Sequence, residues 1–173
     1  MTISTTVPPR PGKTRNLITV ETGGMKVCKS PADVIVTHSL GSCVGLTLFD
    51  PLARVGGMVN CLLPLATIDP QNARAVPCMF VDTGVEALLG EMLAQGAQLQ
   101  NLIAKAAGAG SPLGGGDALR LGERNFTVLC EVLGKNRITI AKQDIGGATA
   151  RTLYLYMADG RTTVKTDGTE VEL

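Results

Sequence analysis

Between Thr37 and Pro64 the chain reads THSLGSCVGLTLFDPLARVGGMVNCLLP, a succession of short apolar runs cut apart by glycine and proline. Val34–Thr37 is short, β-branched and bounded by Pro31, and it leads into a Ser39–Ser42 turn. Val44-Gly45-Leu46-Thr47-Leu48-Phe49 alternates with period two until Asp50-Pro51 stops it. Gly56-Gly57 then opens a further run, Met58 to Leu63, which ends at Pro64. Such runs are strands, because successive side chains of an extended backbone point to opposite faces. These strands converge on Gly41-Ser42-Cys43. A cysteine leaving a tight Gly-Ser turn is placed as a nucleophile is placed. Core cysteines share that placement, since free cysteine is among the most buried residue types.

The chain has 173 residues, 45% hydrophobic and 18% charged, which suits one globular domain with an aliphatic core. Pro8, Pro9 and Pro11 oppose regular structure, so residues 1–15 read as a flexible arm and residues 16–173 as the domain. A net charge of +1 without a charge block leaves no electrostatic footprint for nucleic acid. No apolar run approaches the ~18 residues that span a bilayer, so no membrane insertion is expected. The polar, proline-rich start lacks the apolar segment of a secretory signal. Cys28, Cys43, Cys61, Cys78 and Cys130 are odd in number and widely spaced, which suits reduced thiols in a cytoplasm. With His38 as the single histidine, a zinc site of ordinary ligand spacing is not expected.

Elsewhere, Leu17–Glu21 and Met25–Cys28 flank Thr22-Gly23-Gly24 and read as a hairpin. Pro64–Pro77 has turn residues without periodicity and reads as a surface loop. Thr83 and Glu86 match a capping box, and Val85, Leu88, Leu89, Met92 and Leu93 follow helical spacing up to a stop at Gly96. Leu99–Ala106 reads as a strand. A second helix, about 123–133, places Phe126, Leu129, Cys130 and Leu133 on one face. Arg137–Ala141 and Thr152–Met157 are further strands, and Ala158-Asp159-Gly160 turns the latter into a terminal hairpin with Arg161–Lys165. The expected fold is α+β, a single domain of stacked mixed β-sheets with flanking helices.

The glycine-rich stretch Gly108–Gly116 lacks both the Gly-Lys-Ser/Thr ending of a P-loop and the dinucleotide fingerprint, and turn chemistry explains it without a ligand. Gly146-Gly147 before Arg151 reads as a bend, with the arginine facing solvent or a surface acid. Cys61, Cys78 and Cys130 sit among apolar neighbours as core residues. His38 reads as a structural histidine in a strand.

The residues around Cys43 carry a resemblance. Thr37-x-x-x-Gly41-Ser42-Cys43, then Phe49-Asp50-Pro51, Gly56-Gly57-Met58 and Leu63-Pro64, closely resemble the CheD family. The resemblance continues through Gly96-Ala97, Lys105, Gly122-x-x-Asn125, Asp144-x-Gly146-Gly147 and Arg151, and spans roughly Leu17 to Lys165. CheD proteins are chemoreceptor glutamine deamidases. The resemblance implies hydrolysis of glutamine side-chain amides on chemoreceptor cytoplasmic helices, and the same site suits glutamate methyl esters, because ester and amide pass through similar tetrahedral intermediates.

The resemblance also implies a Cys-His-Thr triad and no metal or organic cofactor. Cys43 carries over as the nucleophile, Thr37 as the orienting residue, and Gly41 and Ser42 as the turn that supplies oxyanion donors. The histidine belongs at the end of Gly-Gly-Met-x-His, where this chain has Asn60. An asparagine amide cannot take a proton near neutral pH. If Thr37 faces Cys43 then His38 faces away, unless a bulge reverses the alternation. The family's Gly-Gly-Ala is here Gly108-Ala109-Gly110. Asn60 therefore sets a second reading beside the first, an adaptor that binds chemoreceptors or a CheC-type phosphatase without deamidation.

Overall fold

Val44, Leu46 and Leu48 alternate with Gly45, Thr47 and Phe49 along a strand, β4 (Val44–Asp50), that is buried at every position. A strand buried throughout needs a layer on each face. The computed structural model, which describes residues 15–113 and 119–173, supplies both layers. β4 lies at the centre of a five-stranded sheet ordered β2 (Met25–Cys28), β5 (Val55–Cys61), β4, β6 (Ile103–Gly108) and β7 (Ile140–Ile145). Stacked on it is a second five-stranded sheet, ordered β1 (Asn16–Thr19), β3 (Asp33–Leu40), β8 (Arg151–Tyr156), β9 (Thr162–Thr166) and β10 (Thr169–Glu172). Both sheets are mixed, with β1 parallel to β3 and β6 parallel to β7.

Two cores hold the layers. Leu40, Phe49, Met58, Ala107, Leu153 and Leu155 meet between the sheets. Gly45 sits there because a Cβ would lie 2.8 Å from a Leu40 methyl group and 3.0 Å from one of Leu153. On the other face, Val44, Leu46 and Leu48 pack with Val85, Leu88 and Met92 of one helix and Leu129 and Leu133 of another. These helices are α2 (Val81–Ala94) and α3 (Leu121–Lys135). The fold is thus a single α+β domain of two mixed sheets flanked by helices, as its strand and helix periods imply.

Several local expectations are corrected. The stretch Thr22-Gly23-Gly24 does not close a hairpin, because β1 and β2 belong to different sheets. It crosses from one sheet to the other, pinned by hydrogen bonds from Gly23 N to Asn60 O and from Asn60 N to Gly24 O. Pro64–Pro77 is not irregular throughout. It contains a short helix, α1 (Pro70–Ala75), with Asp69 accepting from the Asn72 amide and Pro70 in the first turn. The longer helix begins before Thr83, with Phe80 at its N-cap, and the Thr83 hydroxyl donates to Pro77 O at 2.6 Å instead of closing a capping box.

Helix α3 is rotated from its expected face. Asn125, Val128 and Val132 are buried, while Cys130 is exposed and so is no core residue. A polar residue on the buried stripe hides that stripe from a count of apolar positions. The strands expected at Leu99–Ala106 and Arg137–Ala141 begin later, at Ile103 and Ile140. The Arg161–Lys165 hairpin is not terminal. Asp167 (φ 49°) and Gly168 (φ 82°) form a second tight turn into β10. Most of the expected N-terminal arm, residues 1–14, and part of the glycine-rich stretch, residues 114–118, lie outside the described residues.

Candidate active site

Strand β3 delivers Thr37 to the inter-sheet core and then bends. Thr37 pairs with Leu153 and Leu40 with Arg151, so β3 fits one more residue than β8 into the same span. Ser39 takes a left-handed conformation (φ 56°), and its carbonyl accepts from the Gly41 amide at 2.9 Å. Backbone strain of this kind holds a sharp corner where a regular strand would continue. The corner places Gly41, Ser42 and Cys43 at the head of β4. The bulge does not bring His38 inward. It is exposed, with Nδ1 3.5 Å from Thr152 Oγ1 on the outer side of the sheet.

Every carbonyl of the turn is held. Gly110 N donates to Gly41 O at 2.7 Å and Ala109 N to Cys43 O at 2.7 Å. Asn125 Nδ2 donates to Ser42 O at 2.9 Å and to Leu62 O at 2.9 Å, joining α3 to the turn and to the end of β5. The Gly108–Gly110 corner is held in turn on its far side, by Gly146 N to Gly108 O and Ser111 N to Gly147 O. Arg151 borders this region and pairs with a half-exposed acid instead of facing solvent. The arginine is buried, with Nη2 3.0 Å from Asp144 Oδ1 and Nη1 3.2 Å from Thr149 O.

Thr37 and Asn60 meet. Both are buried, and Asn60 Nδ2 donates to Thr37 Oγ1 at 2.8 Å. The Thr37 hydroxyl has one hydrogen, which it donates to Val20 O at 2.7 Å. Its oxygen can therefore only accept from Asn60, and this settles which way the Asn60 amide points. Asn60 Oδ1 is left buried without a hydrogen-bond partner. Asn60 stands opposite Gly45, two residues along β4 from Cys43. The glycine puts no side chain between them.

Cys43 is 9% exposed and packs in the inter-sheet core. Burial pushes its thiol pKa up, while a hydrogen bond from Thr22 and one from its own backbone amide pull it down. In the sequence Thr22 reads only as part of a turn. It arrives on the crossover turn, whose pairing with Asn60 involves a strand far along the chain. Asn125 was visible only as part of a motif, without a role. Among the described residues no group of three or more His, Cys, Asp or Glu side chains could hold a metal. No helix among them is long and apolar enough to cross a membrane.

Comparison with known proteins identifies the family. The family model described as CheD chemotactic sensory transduction matches residues 62–166. A probable chemoreceptor glutamine deamidase CheD 2 of Anaeromyxobacter dehalogenans is 39% identical over 150 residues, 87% of this chain and 94% of that protein. A probable chemoreceptor glutamine deamidase CheD of Symbiobacterium thermophilum is 40% identical over 157 residues, 89% of this chain and 94% of its own. One of Caldanaerobacter subterraneus is 42% identical over 146 residues, 83% and 88% of the two chains. Identity at this level over nearly the whole of each chain, on a two-sheet fold with a Gly-Ser-Cys corner, places this protein in the CheD family.

Proposed function

We propose that this chain hydrolyses glutamine side-chain amides of chemoreceptors through Cys43, slowly, in a site that lacks an imidazole base. The observation that carries the reading is the Val20–Thr37–Asn60 relay beside a Gly-Ser-Cys corner, in a chain whose relatives are named chemoreceptor glutamine deamidases. The Cys43 thiolate adds to the carboxamide carbon, and the oxygen becomes an oxyanion that the Ser42 and Cys43 amides stabilise. Collapse of the tetrahedral species breaks the C–N bond and releases ammonia, protonated from solvent because Asn60 holds no transferable proton. Water then cleaves the thioester to glutamate and the free thiol. A glutamate methyl ester passes through a similar intermediate, with methanol leaving in place of ammonia.

The same relay supports a second reading. Asn60 is buried, its Oδ1 has no partner, and its amide takes no proton, so the site lacks the base that deamidation uses. On this reading the chain is an adaptor that binds receptor helices or a CheC-type phosphatase without chemistry. Incubation with receptor cytoplasmic fragments, followed by mass spectrometry, separates the two. Glutamine-to-glutamate conversion that disappears in Cys43→Ala supports the enzyme. Binding without conversion, in both the native protein and Asn60→His, refutes it and leaves the adaptor.

A further inference from the structure

We propose that Asn125 is a positioning residue that aims the Cys43 backbone N–H at the oxygen of an attacked carbonyl. The inference rests on Cys43 being the nucleophile, and it adds the means by which helix α3 builds the oxyanion site. A peptide unit is planar and trans, so its C=O and N–H point in opposite directions. Ser42 O and Cys43 N belong to one such unit. Asn125 Nδ2 holds Ser42 O at 2.9 Å from the helix side, which turns the Cys43 N–H away from the helix. The preceding unit is set likewise, because Gly110 N holds Gly41 O at 2.7 Å and so directs the Ser42 N–H. Neither amide donates to a backbone or side-chain acceptor among the described residues beyond the Cys43 thiol itself. Amide donors left open beside the sulfur are what carbonyl addition requires.

The placement of Asn125 argues for this role over packing. It is fully buried in an apolar helix face, and both amide hydrogens are spent on Ser42 O and Leu62 O. Its Oδ1 is left buried without a partner, which an apolar side chain there would avoid. Gly122, one turn earlier, lets α3 approach closely, since a Cβ there would overlap the Ala109 and Gly110 carbonyl oxygens. One helical turn thus braces both the corner that holds Gly41 and the side chain that holds Ser42.

The test compares two electrophiles at Cys43, both read from alkylation of its own peptide by mass spectrometry, the reversible one through the protection it gives. Iodoacetamide alkylation needs a thiolate and develops no oxyanion. Butyraldehyde adds the sulfur to its carbonyl carbon, and the thiol proton passes to the oxygen to complete a hemithioacetal. Asn125→Ala and Asn125→Ser should lower affinity for the aldehyde by roughly tenfold, the scale of one hydrogen bond to the neutral adduct oxygen, while the limiting alkylation rate at high pH holds. Equal losses in both reactions, or in neither, overturn the proposal. If both variants fail to fold, the native protein labelled with 15N-cysteine decides. Its Cys43 amide signal should shift and become protected from exchange when the aldehyde adds, and an unchanged amide or no adduct at all overturns the inference. Neither experiment depends on deamidation, so failure of the proposed activity is read separately.

Discussion

Replacing Asn60 by histidine should convert the site from a slow one to a fast one. The Thr37 hydroxyl donates its hydrogen to Val20 O at 2.7 Å, so any group at position 60 must donate to Thr37 Oγ1, as Asn60 Nδ2 does at 2.8 Å. An imidazole in that place presents its N–H to Thr37 and leaves the other nitrogen bare. The bare nitrogen lies on the side where Asn60 Oδ1 now has no partner. A positioned general base contributes about 10²–10⁴ in rate, or about 3–5 kcal/mol of barrier. The pH profile should change with it. In the native protein burial holds the Cys43 thiol above its ordinary pKa, so the thiolate is a minority at neutral pH and the rate climbs through the alkaline range. Beside an imidazolium the thiolate forms at lower pH, and the climb should give way to a plateau near neutrality. The assay is conversion of receptor-fragment glutamines, with iodoacetamide alkylation of Cys43 as a function of pH. The ring is larger than the amide it replaces, and overpacking costs about 1–3 kcal/mol, so Tm is measured alongside. A folded Asn60→His protein with an unchanged rate and an unchanged alkaline profile would refute the assignment of this position as the base. Loss of the gain in Thr37→Val/Asn60→His would confirm that the hydroxyl selects the tautomer.

Thr37→Val in the native background removes the hydroxyl between two buried groups and leaves Val20 O and Asn60 Nδ2 unpaired. At about 1–3 kcal/mol for a buried polar group, thermal unfolding should register a clear fall in Tm. Thr22→Val removes the hydrogen bond that pulls the Cys43 pKa down, so alkylation of Cys43 at neutral pH should slow while the limiting rate at high pH is kept. Stability itself should decline in alkali. Burial raises the Cys28 thiol to about 11 and also raises Cys61 and Cys78. The unfolded chain releases these protons first, so stability is full below the ordinary thiol range and is lost as pH rises toward about 11. Tm measured across that window should fall, and Cys28→Ala should flatten part of the decline.

Strands β3, β4 and β5 are legible because period-two alternation and Gly-Pro punctuation are local signals. Helices α2 and α3 are legible by their spacing. The Thr22-Gly23-Gly24 turn is misread as a hairpin for a matching reason. Its residues suit a tight turn, but its strands find partners elsewhere, β1 against β3 and β2 against β5. Cys130 is exposed against expectation because hydrophobicity alone assigns the buried face of a helix, and here a buried asparagine, Asn125, lies on that face. The Asp167-Gly168 turn is a local signal of the same kind, and β10 follows from it.

By itself the sequence determined which chemical groups the candidate site can contain: one thiol after a Gly-Ser turn, a hydroxyl six residues before it, and an amide where the resemblance implies an imidazole. It also determined the alternation that stacks two sheets. Only the tertiary structure decided where each hydrogen points. Val20 O orients Thr37 and through it Asn60, while Asn125, 83 residues from Ser42, holds the carbonyl whose direction sets the Cys43 amide. Periodicity records which face of an element is apolar. Hydrogen-bond direction depends on the partner, and those partners come together only when the two sheets and α3 close around the Gly41–Cys43 corner.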